Sequence, residues 1–278
     1  MRISLCNEVI GRLPFARQCE VAATLGYDGL EVAPMTLAED PTRLTGAEIA
    51  ALRRAASDAG IAITGLHYLM RAPAGLSITS TDDTLRQRSI EVMRRFCGLC
   101  AELGGAILVH GSPDQRKLDA GYESEGKKRG IDSFASVADA ARNANVTYCI
   151  EALARNQTAF VNTLQDAADI VRQINSLHVR AMIDCSAAAQ TEAEPVDALI
   201  RRWLPTGLIA HIHFNDPNRR GPGEGDLKFA PILTALRESD YTGNASIEPF
   251  DYKPDGPTCA ARGIGYIRGI MQSLSWPL

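Results

Sequence analysis

The chain has no long run of Lys and Arg, and its 278 residues carry a formal net charge of −4. Neutralising a phosphate backbone needs clustered cations, so this acidic balance argues against a nucleic-acid partner. No apolar run reaches membrane-spanning length, so no membrane association is expected. The opening MRISLCNEVIG lacks a basic segment followed by a long apolar stretch and reads as a first strand, not a signal peptide. Cysteine is scattered at Cys6, Cys19, Cys97, Cys100, Cys149, Cys185 and Cys259, an odd count without a dense framework. That excludes a disulfide scaffold and fits a reducing, cytoplasmic setting. The one CxxC spacing, Cys97 to Cys100, falls on an expected helix with no second pair, so both thiols are expected in the core. The turn after the first strand, CNEVIG, is not the Gly-rich phosphate turn of a dinucleotide fold. Histidine is scarce, with five in all. No internal repeat, low-complexity segment or interdomain linker stands out.

What the chain does have is alternation. Short β-rich runs at Arg2–Leu5, Leu30–Val32, Ile61–Leu66, Ala106–Val109, Val146–Ile150, Val179–Ile183, Leu208–Ile212 and Ala245–Ile247 are each followed by a segment able to form a helix. The expected helices cover Pro14–Leu25, Gly46–Ala59 capped by Thr45, Asp82–Leu103 stopped by Gly104, Ser133–Asn145, Thr163–Ile174, Pro195–Trp203, Pro231–Ser239 and Ala260–Leu274. The polar stretch Asp114–Arg129 reads as a long loop over the barrel mouth. Parallel strands need crossover helices, and eight such units fit closure. The expected fold is α/β: a (β/α)8 TIM barrel, with one domain over residues 1–278.

In a barrel of this kind, chemistry sits at the C-terminal ends of the strands. The polar residues at or near the ends of the apolar runs are Asn7-Glu8, Glu31, His67, His110, Glu151, Asp184, His213 and Glu248. All are polar and most are titratable, which a strand built only for stability does not require. Glu151, Asp184, His213 and Glu248 fall on consecutive strand ends and make a plausible ligand set for one divalent ion. Three carboxylates and an imidazole suit Mn²⁺, Mg²⁺ or Co²⁺, with Zn²⁺ an alternative. Any one of these acids alone is better explained as a helix cap or an Arg partner. His211 lies two residues before His213 and shares its face of the strand, as a supporting or interior residue or a further ligand. His178 precedes the sixth strand, at the opposite end. Arg94-Arg95 and Lys127-Lys128-Arg129 read as solvated surface, and the segment from Gly221 to Gly225 as a tight loop.

These residues resemble the xylose-isomerase-like barrels of the sugar phosphate isomerase/epimerase family, and ketose 3-epimerases in particular. The likeness covers nearly the whole chain and is densest in its second half. IEALARNQTAFVNT is similar to the stretch that opens on a metal-binding glutamate, here Glu151, followed by an arginine, here Arg155. MIDCSAA aligns Asp184, HIHFNDPNRRGPGEGDLKF aligns His213 and the substrate-binding Arg219, and SIEPF aligns Glu248. The chain departs from that pattern at Ala187, where the family carries a histidine, and at Gln157, where it often carries a glutamate.

The resemblance implies a metal-dependent isomerase or epimerase of a small sugar or keto-polyol, working by proton transfer through an enediolate, with Glu151 and Glu248 as catalytic residues that also bind metal. His67, His110, Arg155, Arg219, Ser112, Arg116 and Glu8 are candidates to position the substrate. A dimer or tetramer of identical chains is implied as well. The same site also supports a lyase that eliminates a β-leaving group, as from a 3-keto sugar. An abasic-site endonuclease fits less well, since five histidines and an acidic chain do not suit a trinuclear zinc site in a basic groove. A catalytically silent barrel subunit is the remaining alternative, against which the complete metal quartet argues.

Overall fold

The computed structural model describes residues 1–276; Pro277 and Leu278, the end of the expected 1–278 domain, lie outside the described residues. The strands are β1 (Arg2–Cys6), β2 (Gly29–Val32), β3 (Ala62–Leu66), β4 (Ile107–His110), β5 (Thr147–Glu151), β6 (Val179–Asp184), β7 (Ile209–Phe214) and β8 (Asn244–Ile247). Each runs parallel to both neighbours, and β8 pairs back onto β1 to close the barrel. Parallel pairing throughout requires a return path after every strand. Ten α-helices among the described residues supply it: α1 (Phe15–Leu25), α2 (Gly46–Asp58), α3 (Asp83–Leu103), α4 (Glu123–Ala135), α5 (Ala138–Ala144), α6 (Leu164–Ile174), α7 (Cys185–Thr191), α8 (Val196–Trp203), α9 (Phe229–Glu238) and α10 (Gly256–Ser273).

Local chemistry starts the helices where the sequence places them. Thr45 and Glu48 form a reciprocal capping box on α2, and Thr163 and Asp166 do the same on α6. Asp82 accepts from the amides of Thr84 and Leu85 to cap α3. In α6, Leu164, Ala167, Ala168 and Val171 recur at helical spacing and are buried, so the helix presents one apolar stripe to the sheet. The main core lies in this layer between strands and helices. All seven cysteines are free and buried there or in the barrel.

The expected loop Asp114–Arg129 is a loop only in its first half. A 3-10 turn spans Asp114–Arg116, and α4 has begun by Glu123. The expected helix Ser133–Asn145 is in turn divided between the end of α4 and α5. A short helix that the sequence reading lacks, α7, follows β6 directly and is capped by Asp184 itself.

The barrel interior is divided by polarity. On one side Val109, Cys149 and Met182 form a small apolar cluster. On the other, Ser4 and Thr64 hydroxyls are 2.9 Å apart, and Glu31 of β2 reaches His211 and His213 of β7. Strands β2 and β7 are not neighbours, so these contacts cross the interior.

Candidate active site

Glu151 and Asp184 are the last residues of β5 and β6, His213 is the penultimate residue of β7, and Glu248 follows β8. Four adjacent strands thus deliver four side chains to one point. One donor atom from each lies within 4.8 Å of the others, and all four residues are buried. Around them is a cavity of about 260 Å³, lined by Glu151, Asp184 and Glu248 with Asn215, Arg219 and Phe250 among its other walls. This is close to the ~300 Å³ lower end of small-molecule clefts and suits a single sugar.

Hydrogen bonds hold the side chains of Glu248, Asp184 and His213, and the backbone of Glu151. Glu248 faces His67 Nδ1 at 3.0 Å through Oε1 and His213 Nδ1 at 2.9 Å through Oε2. Asp184 Oδ2 accepts from Asn215 Nδ2 at 2.6 Å, and Oδ1 from the Ala187 amide at 2.6 Å. Asn215 Oδ1 in turn accepts from the Ser186 amide at 2.9 Å, which ties the site to α7. The far nitrogen of His213 lies 3.1 Å from Glu31 Oε1. The backbone carbonyl of Glu151 accepts from Arg116 Nη1 at 2.8 Å.

Three carboxylates this close disturb one another. Burial pushes Glu151 well above the ordinary carboxylate range, and Asp184 and Glu248 push it further. Burial and Glu248 raise Asp184 to about 6. Burial also acts to raise Glu248, but His213 and His67 outweigh it and hold it at about 2. A divalent cation would relieve this repulsion. The donor atoms, all within 4.8 Å of one another, are close enough to share one ion. The donor set, three carboxylates and one imidazole, suits a hard to borderline ion.

Residues 19–270 match the family described as xylose isomerase-like TIM barrel. The chain belongs to that family. D-psicose 3-epimerase of Agrobacterium fabrum is 29% identical over 248 residues, covering 85% of this chain and 79% of that protein. The crystal structure of D-psicose 3-epimerase from Clostridium cellulolyticum H10 with D-tagatose superposes with a TM-score of 0.82 at 21% identity, over 98% of this chain and 99% of that one. The structure of 3-keto-D-glucoside 4-epimerase from E. coli gives a TM-score of 0.81 at 20% identity, over 97% and 99% respectively.

Within this xylose isomerase-like barrel the remaining candidates separate by position. Arg219 lines the cavity. Its backbone is left-handed at φ 71°, its carbonyl accepts from the amides of Phe250 and Asp251 at 2.8 Å each, and its guanidinium lies over the Phe250 ring. His67 reaches the site through Glu248, and Glu8 Oε2 lies 2.9 Å from the other nitrogen of His67. His110, Ser112, Arg116 and Arg155 are not on the cavity wall.

Their absence has physical reasons. Val109 faces the interior, so strand alternation turns His110 outward, where it meets Tyr148 Oη at 2.7 Å and the edge of Phe134. Ser112 Oγ accepts from the Met70 amide and fastens one loop to another. Arg116 is fully buried beneath Glu151. Arg155 is exposed, and Asn156 and Gln157 line the cavity instead.

Asn215, which the sequence reading passed over, was announced by alternation. It is two residues beyond His213 and four beyond His211, on the same face. His211 itself is interior, with Nε2 2.7 Å from Glu31 Oε2. His178 lies at the opposite end, with Nδ1 2.9 Å from the Val146 carbonyl.

Proposed function

We propose that the chain is a divalent-metal-dependent isomerase of the ketose 3-epimerase kind, acting on a small unphosphorylated ketose or keto-polyol. The observation that carries this reading is the pair of buried carboxylates, Glu151 and Glu248, brought from β5 and β8 to the wall of one sugar-sized cavity beside Asp184 and His213. Arg219 is the only Lys or Arg on the cavity wall and it lies over Phe250, so no cationic cradle for a phosphate is present among the lining residues. The similarity to D-psicose 3-epimerase supports the same reading.

Glu151, Asp184, His213 and Glu248 would hold the ion, with Mn²⁺ favoured and Mg²⁺, Co²⁺ or Zn²⁺ as alternatives. When bound, the ion would polarise the substrate carbonyl and offset charge developing on its oxygen. One glutamate takes the proton from the carbon beside the carbonyl, and the C–H electron pair moves toward the carbonyl oxygen. The other glutamate delivers a proton to the opposite face and the carbonyl re-forms, so nothing is oxidised or reduced overall. His67 and Asn215 keep Glu248 and Asp184 aimed, and Arg219 positions substrate oxygens from the loop after β7. The reading includes a homo-oligomer and a cytoplasmic setting, the latter in keeping with seven free cysteines.

The test is turnover of a ketose panel with Mn²⁺. Glu151→Gln and Glu248→Gln are each expected to lower kcat by about 10²–10⁴-fold with the fold retained. Wild-type turnover in either variant would remove the proton-transfer roles. A second reading, β-elimination at the same site, rests on Ala187 of α7, which lines the cavity at the position where the resembled ketose 3-epimerases carry a histidine. An unsaturated carbonyl product would identify it.

A further inference from the structure

We propose that Glu31 is a positioning residue that selects which nitrogen of His213 faces the ion, and thereby sets the protein's affinity for it. The inference rests on the metal-site reading above and names a residue behind the quartet.

Glu31 is fully buried in the barrel interior. Its Oε1 is 3.1 Å from His213 Nε2, and its Oε2 is 2.7 Å from His211 Nε2 and also accepts from Ser246 Oγ. A carboxylate only accepts, so each histidine must donate from Nε2. The same rule holds at Nδ1, 2.9 Å from Glu248 Oε2, so without an ion both nitrogens of His213 face carboxylates; an ion held by Glu248 and Nδ1 would take the place of the Nδ1 proton and leave the Nε2 proton on Glu31. A flip of the ring would put Cε1 where Nε2 stands and break the Glu31 bond, leaving a buried carboxylate oxygen short of a donor.

The placement is costly if its purpose is structural. Barrel interiors are usually filled by Val, Ile and Leu, and replacing a buried ion pair by apolar residues is often neutral or stabilising. Here an acid from β2, a histidine from β7 and a hydroxyl from β8 converge behind one ring. A carboxylate on the far nitrogen of a ligating histidine fixes its tautomer and raises its basicity, and such partners govern metal affinity. His211 and Ser246 hold Glu31, and Glu31 holds His213.

The experiment is Mn²⁺ titration of chelator-treated wild type and Glu31→Gln, followed by electron paramagnetic resonance, with thermal unfolding of both chelated proteins. A glutamine carbonyl can serve one of the two histidines, and its NH₂ faces the other. The expected result is a 10–100-fold weaker Kd in Glu31→Gln. A purely structural role would lower the Tm of the chelated variant and leave the Kd of its folded fraction unchanged, and that outcome overturns the proposal. Should Glu31→Gln not fold, ¹⁵N NMR of the Mg²⁺-loaded wild type decides instead. Protonated Nε2 on His213 supports the proposal; protonated Nδ1 overturns it. If the wild type binds no Mn²⁺, the metal-site reading itself fails, an outcome distinct from equal binding by both proteins.

Discussion

Gly111 and Glu151 approach so closely that a Cβ built on Gly111 would fall 1.6 Å from Glu151 Oε2. The loop leaving β4 therefore forms the back wall against which a proposed catalytic carboxylate rests. Gly111 is not among the glycines with positive φ, so its backbone accepts alanine and only the space does not. Gly111→Ala is expected to fold and to push the Glu151 carboxylate aside. A displacement of about 1 Å costs on the order of 10²-fold in rate, so kcat should fall by that much with little change in Tm. Steady-state kinetics with thermal unfolding checks this.

Ion binding should depend on pH with a definite sign. Asp184 is raised to about 6 and Glu151 stands well above the carboxylate range, so protons compete for both as pH falls. Asp184 alone should weaken Mn²⁺ binding about tenfold between about pH 7 and about pH 5, and Glu151 adds to this. Calorimetric titration across that range should show weaker binding in acid; an affinity that rises in acid contradicts the site.

Binding should also stabilise the fold by mass action. At 100 times its Kd an ion that binds only the native state contributes about 2.7 kcal/mol, and Tm should rise measurably. Asp184→Asn and His213→Ala should each lose most of that rise, read as thermal shift with and without EDTA.

Arg116 and Arg219 should part company in kinetics. Arg219 lines the cavity, so Arg219→Ala is expected to raise KM about tenfold or more with a smaller change in kcat. Arg116 supports the Glu151 carbonyl from a fully buried position. Arg116→Met leaves that carbonyl unpartnered, with an expected stability loss of about 1–3 kcal/mol and no direct effect on KM.

The sequence carries the eight strands well because nearly all are short apolar runs ending in a polar residue, β2 with Glu31 inside its run being the exception, and caps such as Thr45 and Asp82 are local chemistry. The α4 helix was hidden by composition. Its exposed charges and its two glycines read as a loop, yet Gly130 is small because Phe160 packs on it, with a ring carbon 2.4 Å from where a Cβ would stand. No local pattern predicts that contact. The quartet was legible because its members end consecutive strands. Glu31 was visible only as a weak candidate, since its role depends on β7 lying across the barrel from β2. His110 shows the converse: its position at a strand end is legible, but which way it points follows from Val109 facing inward.

Solvent exchange tests the central claim most directly. Wild-type protein with Mn²⁺ in D₂O, given a ketose panel and followed by NMR, should place one deuterium on the carbon beside the carbonyl in recovered substrate and epimer. EDTA and Glu151→Gln should each abolish the exchange. An epimer formed without deuterium, or no exchange with any ketose by metal-loaded protein, would contradict the account.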